Sequence, residues 1–437
     1  MNQEIQDVAK ELAARAMGSL HRPQQFIPGV TSIPVTGKVF GETEIQAAAM
    51  ASAEFWLTAG HFSEEFERAL SKRVGMRHAL MVNSGSSANL ISLSALTSPK
   101  LGERRLKQGD EVVTVAAGFP TTVAPILQNN LVPVYIDVDL STYVANIDQL
   151  ESAIGPNTKA IMMAHTLGNP FDLARVMELA QKYSLWVIED SCDALGGTYK
   201  GGNIGSFGDL STLSFYPAHH ITTGEGGAVL LKSPILKTIA ESFRDWGRDC
   251  WCAPGCDNTC FKRYEWTLGE LPTGYDHKYT YSHLGYNLKS GDIQAAIGLA
   301  QLDRLDTFIQ KRWHNWTRLK EALSELDEYL ILPEPTKDSK PSWFGFAITL
   351  RPGGPISRDE VVQQLNNCGI GTRLMFGGNL LRQPAFINTP RRIASSLENA
   401  DLIVSNSFWI GVWPGINDSM IDFMVESMLE IFTKYRK

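Results

Sequence analysis

The sequence contains no run of 18 apolar residues, so it predicts no helix that spans a membrane. It also has no excess of basic residues. Its 40 Lys and Arg against 47 Asp and Glu give a formal net charge of −7, which argues against a nucleic-acid binder or a polybasic membrane binder. The first twenty residues have no apolar h-region, and their apolar side chains recur with helical spacing instead. We therefore expect an ordinary globular protein located in the cytoplasm.

Cysteine is scarce and unevenly distributed. Only six of 437 residues are cysteine, and four of them fall within eleven residues, at Cys250, Cys252, Cys256 and Cys260. In a long intracellular chain this pattern indicates metal or redox chemistry rather than a disulfide framework. The spacing C-x-C-x₃-C-x₃-C differs from the paired C-x-x-C of common zinc ribbons, so zinc, an iron–sulfur centre and free thiols all stay open. Cys368 is expected to be a core thiol.

Short apolar segments alternate with amphipathic ones in the first half of the chain. The segments "EVVTVAAGF", "VPVYIDVD", "KAIMMAHTLG" and "LWVIED" are rich in Val and Ile, and the helical pattern "PFDLARVMELAQKYS" separates the last two. This alternation predicts an α/β fold with a mostly parallel sheet that is covered on both faces.

The length suits two domains. We expect an N-terminal arm and a large domain over residues 1–300, with an irregular, Cys-rich insertion at about 246–285. One long helical region after Gly291 would bridge to a smaller C-terminal α+β domain over residues 301–437.

Three motifs place small or polar side chains at the predicted strand ends. In "NSGSSANL", Gly85 and its serine neighbours open a helix whose free amide groups suit a phosphate. In "VIEDSCDALGG", Glu189 and Asp190 end a buried strand, and in "SFYPAHH" Ser214 ends another. Ligands of open α/β sheets bind at these strand ends. Taken singly, the first two motifs fit a plain helix cap equally well.

The order of these motifs resembles that of the fold-type I pyridoxal-phosphate enzymes, in the sugar aminotransferase and dehydratase family named DegT/DnrJ/EryC1/StrS. The resemblance extends from about residue 30 to the C-terminus and implies an aspartate-aminotransferase-like fold. It implies that Gly85, Ser86 and Ser214 bind the cofactor phosphate. It also implies that Phe119 stacks on the cofactor ring and that Asp190 pairs with the pyridine nitrogen.

Further site residues follow from the same resemblance. Asn287 would reach the phosphate of the neighbouring subunit's cofactor, which implies a homodimer. Asp193, Tyr216 and Phe344 would line the cofactor pocket, although core packing explains an isolated aromatic residue at least as well.

The Schiff-base lysine of the family is missing. The position five residues after Ser214 is His219, and no lysine lies between Gly202 and Leu231, which disfavours a plain aminotransferase. Histidine forms no stable imine, but it is a general base near neutral pH. The resemblance therefore implies that pyridoxamine 5′-phosphate (or pyridoxal 5′-phosphate) is held non-covalently, and that His219 removes the C4′ proton while a keto-sugar is dehydrated. His220 competes for this role, and a structural histidine in an inactive protein is the remaining interpretation.

One branch of the family combines the histidine with iron–sulfur ligands spaced C-x₅₇-C-x-C-x₇-C. It comprises the 3-dehydrases of 3,6-dideoxysugar synthesis. Cys192, Cys250, Cys252 and Cys260 match every spacing, whereas Cys256 lies outside the pattern and is a doubtful substitute for Cys192. The resemblance thus implies a [2Fe–2S] cluster held by four thiolates.

The branch also implies the reaction and its partners. The substrate would be a CDP-linked 4-keto-6-deoxyhexose that loses its 3-hydroxyl in O-antigen synthesis, and an NADH-dependent iron–sulfur flavoprotein reductase would supply two electrons. No residue distinguishes CDP from dTDP or GDP. Two alternatives stay open. One is a cluster-free dehydratase that takes its amine from glutamate and leaves the spaced cysteines unexplained. The other is a non-catalytic zinc-binding protein on this fold.

Overall fold

The computed structural model describes residues 3–21, 25–252 and 255–435. The α-helices among these residues are α1 (Gln3–Leu20), α2 (Glu42–Glu54), α3 (His61–Val74), α4 (Gly85–Leu96), α5 (Pro120–Gln128), α6 (Leu150–Ala153), α7 (Leu173–Tyr183), α8 (Pro234–Arg244), α9 (Asp292–Leu302), α10 (Leu305–Leu323), α11 (Arg358–Asn367), α12 (Glu398–Asn406) and α13 (Asp418–Thr433). Within the described ranges, no helix has the length and apolar composition needed to cross a membrane.

The strands form three sheets. They are β1 (His78–Val82), β2 (Glu111–Val115), β3 (Val132–Ile136), β4 (Thr158–Ala164), β5 (Trp186–Asp190), β6 (Thr198–Tyr199), β7 (Gly202–Asn203), β8 (Leu210–Ser214), β9 (Gly227–Leu231), β10 (Leu330–Ile331), β11 (Ser339–Lys340), β12 (Gly345–Leu350), β13 (Thr372–Leu374), β14 (Arg392–Ile393) and β15 (Ser407–Gly411).

The largest sheet has the strand order β1-β9-β8-β5-β4-β2-β3-β14. Its neighbours from β8 to β14 pair in parallel, and β9 runs antiparallel between β1 and β8. All five residues of β5 are buried, as expected for a parallel strand covered on both faces. The predicted α/β class with a mostly parallel sheet is confirmed.

Helix α7 illustrates how an amphipathic sequence covers one face of the large sheet. It buries Leu173, Val176 and Leu179 at helical spacing, so one apolar stripe faces the sheet. The side chain of Asp172 caps its N-terminus by accepting a hydrogen bond from the backbone amide of Arg175 at 3.0 Å.

A second sheet, β10-β12-β15-β13, is antiparallel and packs with α10, α11 and α13 around its own core. The long helical region predicted after Gly291 is divided, because α9 ends at Leu302 and α10 begins at Leu305. No glycine or proline explains this break. The domain division at residue 300 falls inside α9 and stays a prediction.

The Cys-rich insertion has little regular structure. The described residues between 246 and 285 form turns, isolated bridges and one 3₁₀ helix, His277–Tyr279. Two isolated antiparallel bridges, Asp245 with Asn287 and Arg248 with Tyr281, close the base of the insertion.

Candidate active site

A cavity of about 770 Å³ lies at the carboxyl edge of the large sheet. Residues that end or follow four strands line it: Ser84 after β1, His165 after β4, Asp190 at the end of β5 and Ser214 at the end of β8. Because β1, β4, β5 and β8 all run in the same direction, these side chains meet at one edge, where open α/β sheets bind their ligands.

The N-terminus of α4 forms one wall of the cavity. The side chain of Ser84 accepts a hydrogen bond from the backbone amide of Ser87 at 3.1 Å and caps the helix. A Cβ atom on Gly85 would lie 2.5 Å from Cβ of Ser214, so only glycine fits between the two elements. The hydroxyls of Ser86 and Ser214 line the cavity beside this helix end, and together they form an anion site suited to a phosphate.

Asp190 is held by neutral donors. Its Oδ2 accepts hydrogen bonds from Asn89 at 2.8 Å and from the hydroxyl of Thr122 at 2.7 Å. Thr212 in turn donates to the amide oxygen of Asn89 at 2.7 Å. The carboxylate is buried and oriented toward the cavity, yet no cation pairs with it in the described part of the chain. It can therefore bind a protonated ring nitrogen.

Glu189, the neighbouring acid, has a different role. Its carboxylate accepts hydrogen bonds from the backbone amides of Gly205, Phe207 and Gly208 at 2.6–2.9 Å, and it pairs with Nε2 of His165 at 3.0 Å. Hydrogen bonding to His165 and to these amides holds the pKa of Glu189 below its ordinary value in spite of complete burial. Glu189 anchors a loop, whereas Asp190 faces the cavity.

His219 lines the cavity on the loop after β8. Its Nδ1 lies 3.5 Å from Oδ1 of Asp193, and its ring centroid lies 5.1 Å from that of Phe344. Burial lowers the pKa of His219 to about 4, and the positive charge of Arg312 adds to the effect. The imidazole is therefore neutral at neutral pH and able to accept a proton.

His220, the competing base, lies outside the lining of the cavity. Its Nε2 bonds the carbonyl oxygen of Ser342 at 2.8 Å, and the side chain is almost completely buried. Burial lowers the pKa of His220 well below its ordinary value. These contacts give His220 a structural role and leave His219 as the histidine at the predicted position of the base.

Asp193 lines the cavity beside His219. Burial and the nearby charge of Asp190 raise the pKa of Asp193 to about 7. Its Oδ2 accepts a hydrogen bond from the backbone amide of Leu167 at 3.3 Å. Asp193 thus faces Nδ1 of His219 and is placed to orient its imidazole.

Three predicted aromatic residues line the cavity. Phe119 and Tyr216 are about half exposed, at 50% and 53%. Phe344 is buried between the rings of His219 and Trp409, at centroid distances of 5.1 and 5.4 Å. The half-exposed rings of Phe119 and Tyr216 are accessible to a group bound in the cavity.

Asn287 does not line the cavity of its own chain. It bridges Asp245 at the base of the insertion. This placement leaves open the prediction that Asn287 serves the cofactor of a neighbouring subunit.

The structure places the cysteines in two groups. Cys192 lines the large cavity, whereas Cys250, Cys252 and Cys260 line a separate small cavity with His277. Among the described residues, no three or more His, Cys, Asp and Glu side chains form a group that could hold a metal ion. Within the described residues, the four predicted cluster ligands therefore line two separate cavities. Cys256 is exposed, and so is Cys368, for which the expectation of a core thiol was wrong because it follows α11 at the surface.

Several site residues have no local sequence signal. Asn89 and Thr122 position Asp190 from α4 and α5, and Arg312 contacts the backbone of His219 from α10. Arg373 is the one arginine or lysine among the described residues that line the cavity, and it comes from the second sheet. Only the fold brings these distant segments together.

The residues fit a pyridoxal-type cofactor. The N-terminus of α4, with Ser86 and Ser214, suits the cofactor phosphate, and the carboxylate of Asp190, which no cation of the described residues pairs with, suits the ring nitrogen. Fold and cavity define the class as that of the fold-type I pyridoxal-phosphate enzymes. A profile of the DegT/DnrJ/EryC1/StrS aminotransferase family matches residues 39–429, and the chain belongs to this family.

Similar proteins include sugar 3-dehydratases. The chain is 54% identical over 428 residues to lipopolysaccharide biosynthesis protein RfbH of Salmonella typhimurium, with 98% of each chain covered. It is 52% identical over 429 residues to dTDP-4-dehydro-2,6-dideoxy-D-glucose 3-dehydratase of Saccharopolyspora spinosa, covering 98% of this chain and 93% of the relative. The solved structure of E. coli GDP-4-keto-6-deoxy-D-mannose-3-dehydratase with bound hydrated PLP is 26% identical, with a TM-score of 0.82 over 90% of this chain and 98% of that chain.

Proposed function

We propose that the chain is a pyridoxamine 5′-phosphate-dependent 3-dehydrase that removes the 3-hydroxyl of a CDP-linked 4-keto-6-deoxyhexose. The corresponding activity is that of a CDP-6-deoxy-L-threo-D-glycero-4-hexulose-3-dehydrase in 3,6-dideoxysugar synthesis. The observation that carries the proposal is the neutral imidazole of His219 in the cavity. None of the described residues that line this cavity is a lysine.

When bound, the cofactor would supply an amine for reaction with the keto group of the sugar and a ring able to withdraw electrons. The residues of this chain do the rest. Gly85, Ser86 and Ser214 hold the phosphate, and Asp190 keeps the pyridine nitrogen protonated. Phe119 covers the ring.

His219 is the general base that takes the C4′ proton. Its depressed pKa keeps it unprotonated at neutral pH, and Asp193 faces its other nitrogen. Tyr216 and Phe344, which line the cavity, would contact the cofactor near its ring.

The iron–sulfur part of the proposal is supported by the spacing of Cys192, Cys250, Cys252 and Cys260. A [2Fe–2S] cluster would pass electrons from an NADH-dependent iron–sulfur flavoprotein reductase. We also propose a homodimer, since Asn287 lies outside its own cavity.

A cluster-free dehydratase is the second candidate. It is favoured by the separation of Cys192 from the other thiols and by the fold shared with the E. coli GDP-sugar dehydratase. It would take its amine from glutamate and release a keto product without added reductant. A zinc-binding protein without activity would be colourless and would not bind pyridoxamine phosphate.

The test is turnover by anaerobically purified protein. CDP-, dTDP- and GDP-linked 4-keto-6-deoxysugars are each supplied with cofactor, NADH and an iron–sulfur flavoprotein reductase. We expect a 3-deoxy product from the CDP sugar, visible absorbance that dithionite bleaches, and at least a 100-fold slower reaction with His219→Asn, as is typical when a general base is lost. Glutamate-dependent turnover of a colourless protein without reductase would establish the cluster-free alternative.

A further inference from the structure

The second sheet contributes a positive charge to the wall of the large cavity. Arg373 lies on β13, the edge strand of that sheet, and its side chain is exposed. Across the described ranges of the chain, the cavity is lined by no other arginine or lysine, whereas the carboxylates of Asp190, Asp193 and Glu225 line it. An anionic ligand is therefore attracted to one part of the wall and repelled from the rest.

The guanidinium of Arg373 is largely free to bind a ligand. Its Nη1 donates to the backbone carbonyl oxygen of Thr372 at 2.9 Å, and this is its one hydrogen bond within the described residues. No described carboxylate pairs with it, in contrast to Arg382, whose Nη2 lies 2.7 Å from Oδ2 of Asp401. A guanidinium presents five N–H donors in a planar fork that matches the oxygens of a phosphate. Most donors of Arg373 thus remain for a ligand.

The predicted site of the cofactor phosphate lies elsewhere on the wall. The hydroxyl of Ser86 donates to the hydroxyl of Thr121 at 2.9 Å, which joins the N-terminus of α4 to that of α5. Phe119 precedes α5, and its ring centroid lies 5.9 Å from that of Phe376. A row of aromatic rings therefore begins beside the phosphate site.

This row continues to Arg373. The ring centroid of Phe376 lies 6.4 Å from that of Trp409, and Trp409 pairs directly with Arg373 between β15 and β13. The rings of Phe119, Phe376 and Trp409 thus lie between the end of α4 and the guanidinium. The wall offers two separate positions for anions, with apolar surface between them.

The same rings lead to the proposed base. The ring centroid of Trp409 lies 5.4 Å from that of Phe344, and Phe344 lies 5.1 Å from His219. An anion bound at Arg373 is therefore held on the wall that continues to His219. A group attached to that anion can extend along this wall to the base.

The cavity has room for a ligand in addition to a cofactor. Its volume of about 770 Å³ lies in the upper part of the range for ligand sites, roughly 300–1,000 Å³. Phe119, Tyr216 and Leu374 line it and are about half exposed, so apolar surface is accessible near both anion positions. A nucleotide-linked sugar has the matching chemistry, because it carries a diphosphate between a flat base and the sugar.

We propose that Arg373 binds the diphosphate of the substrate and thereby selects a nucleotide-linked sugar over a sugar without a nucleotide. The inference rests on the proposed function, whose substrate is a nucleotide-linked 4-keto-6-deoxyhexose. The planar fork of the guanidinium donates to two oxygens of the diphosphate. This contact is the same for CDP, dTDP and GDP, so Arg373 recognises the linkage and not the base.

Binding of nucleoside diphosphates tests the proposal without turnover. CDP, dTDP and GDP are each titrated by isothermal calorimetry into wild-type protein and Arg373→Met, both loaded with pyridoxamine phosphate. For each nucleotide that the wild type binds, we expect the Kd to rise at least about tenfold in Arg373→Met, because charge-assisted hydrogen bonds are lost. Arg373→Lys keeps the charge without the fork and should give an intermediate Kd.

Arg382→Met is the matched control. It removes the same charge from a residue that pairs with Asp401 and does not line the cavity. We expect it to bind nucleoside diphosphates as the wild type does. The Kd of pyridoxamine phosphate should be unchanged in all of these variants, which also checks that they fold.

The other outcomes overturn the proposal or separate it from the proposed function. Wild-type affinity for nucleoside diphosphates in Arg373→Met would overturn it, as would a wild type that binds none of them. A raised Kd for pyridoxamine phosphate alone would assign Arg373 to the cofactor phosphate. Slower conversion of pyridoxal phosphate by glutamate, with unchanged nucleotide binding, would assign it to the carboxylate of an amine donor.

Failure of the proposed function gives a different result. A protein that dehydrates no 4-keto-6-deoxysugar, but loses nucleotide binding in Arg373→Met, would support the diphosphate site and overturn the proposed reaction.

Discussion

The guanidinium of Arg312 donates a hydrogen bond from Nη2 to the backbone carbonyl oxygen of His219 at 3.3 Å. Its Nη1 donates to the carbonyl oxygens of Trp343 and Phe344 at 3.2 and 3.1 Å. Arg312 is buried on α10, so one side chain ties the loop after β8 to the segment that enters β12. Arg312 is thereby a positioning residue for the proposed base.

Replacing Arg312 by Met should lower the stability of the protein and raise the pKa of His219. Three buried carbonyl groups lose their donors, so we expect the free energy of unfolding to fall by about 2–3 kcal/mol. The positive charge of Arg312 lowers the pKa of His219, so its removal should raise that pKa and move the acid limb of kcat/KM to higher pH. Urea unfolding and a pH–rate profile measure the two effects, with Arg312→Lys expected to restore the pH profile in part. If the acid limb of kcat/KM is unchanged in Arg312→Met, Arg312 has only a structural role and does not influence the pKa of His219.

His219→Lys should restore the amine that the family uses to tether its cofactor. The new side chain stands in the cavity, so pyridoxal phosphate should become fixed to it by borohydride and add the mass of the reduced cofactor. His220→Lys is the matched control, because His220 lies outside the cavity lining. Mass spectrometry of a peptide that contains residue 219 reads the result. If the cofactor is instead fixed to the new lysine in His220→Lys, then His220 is the residue at the position of the base and His219 is the structural histidine.

Gly85→Ala should prevent phosphate binding. The added Cβ would lie 2.5 Å from Cβ of Ser214 and 3.0 Å from Sγ of Cys192, so the helix end has to move. We expect the Kd for pyridoxamine phosphate to rise at least tenfold, measured by fluorescence titration. Gly18→Ala is the control, since nothing lies within 4 Å of its added Cβ. Wild-type affinity in Gly85→Ala would mean that the phosphate binds elsewhere.

The stability of the protein should fall in mild acid in part through His283. Its two ring nitrogens bond the hydroxyls of Ser98 and Ser242 at 2.7 and 2.8 Å, and burial lowers the pKa of His283 to about 4. The unfolded chain binds the proton near pH 6.5, so this stabilisation is complete above pH 6.5 and is lost as the pH falls toward 4. At pH 5 the loss is about 2 kcal/mol for one such histidine.

Urea unfolding at pH 7.5 and 5.0 measures this effect. In His283→Gln the pH dependence of the free energy of unfolding should shrink by that amount. An equal pH dependence in wild type and His283→Gln would contradict the assignment.

The alternation of apolar and amphipathic segments predicted the large sheet. The motifs at the predicted strand ends placed Gly85, Asp190, Ser214 and His219 at its carboxyl edge. The strand-end motif alone did not separate Glu189 from Asp190; the family resemblance assigned Asp190 to the cofactor, and only the structure shows that Glu189 binds loop amides.

Contacts between residues that are far apart in the sequence could not be predicted from local sequence patterns. Arg312 lies 93 positions from His219, and its role appears only once α10 packs behind the loop. Likewise, the family resemblance implied one group of four thiols, whereas Cys192 lines a different cavity from Cys250, Cys252 and Cys260. Exposure of Cys368 was also missed, because a single cysteine after an amphipathic helix gives no sign of the side it faces.

The alternation of side chains along β5 restricts which insertions and deletions the chain tolerates before this strand. Glu189 and Asp190 point to opposite faces, one gripping the amides of a loop and the other open to a ligand. If gain or loss of a single residue in the turn Ser184–Leu185 shifted the strand by one place, each acid would turn to the opposite face of the sheet. The length of that short turn is therefore as strictly constrained as the chemistry of either carboxylate.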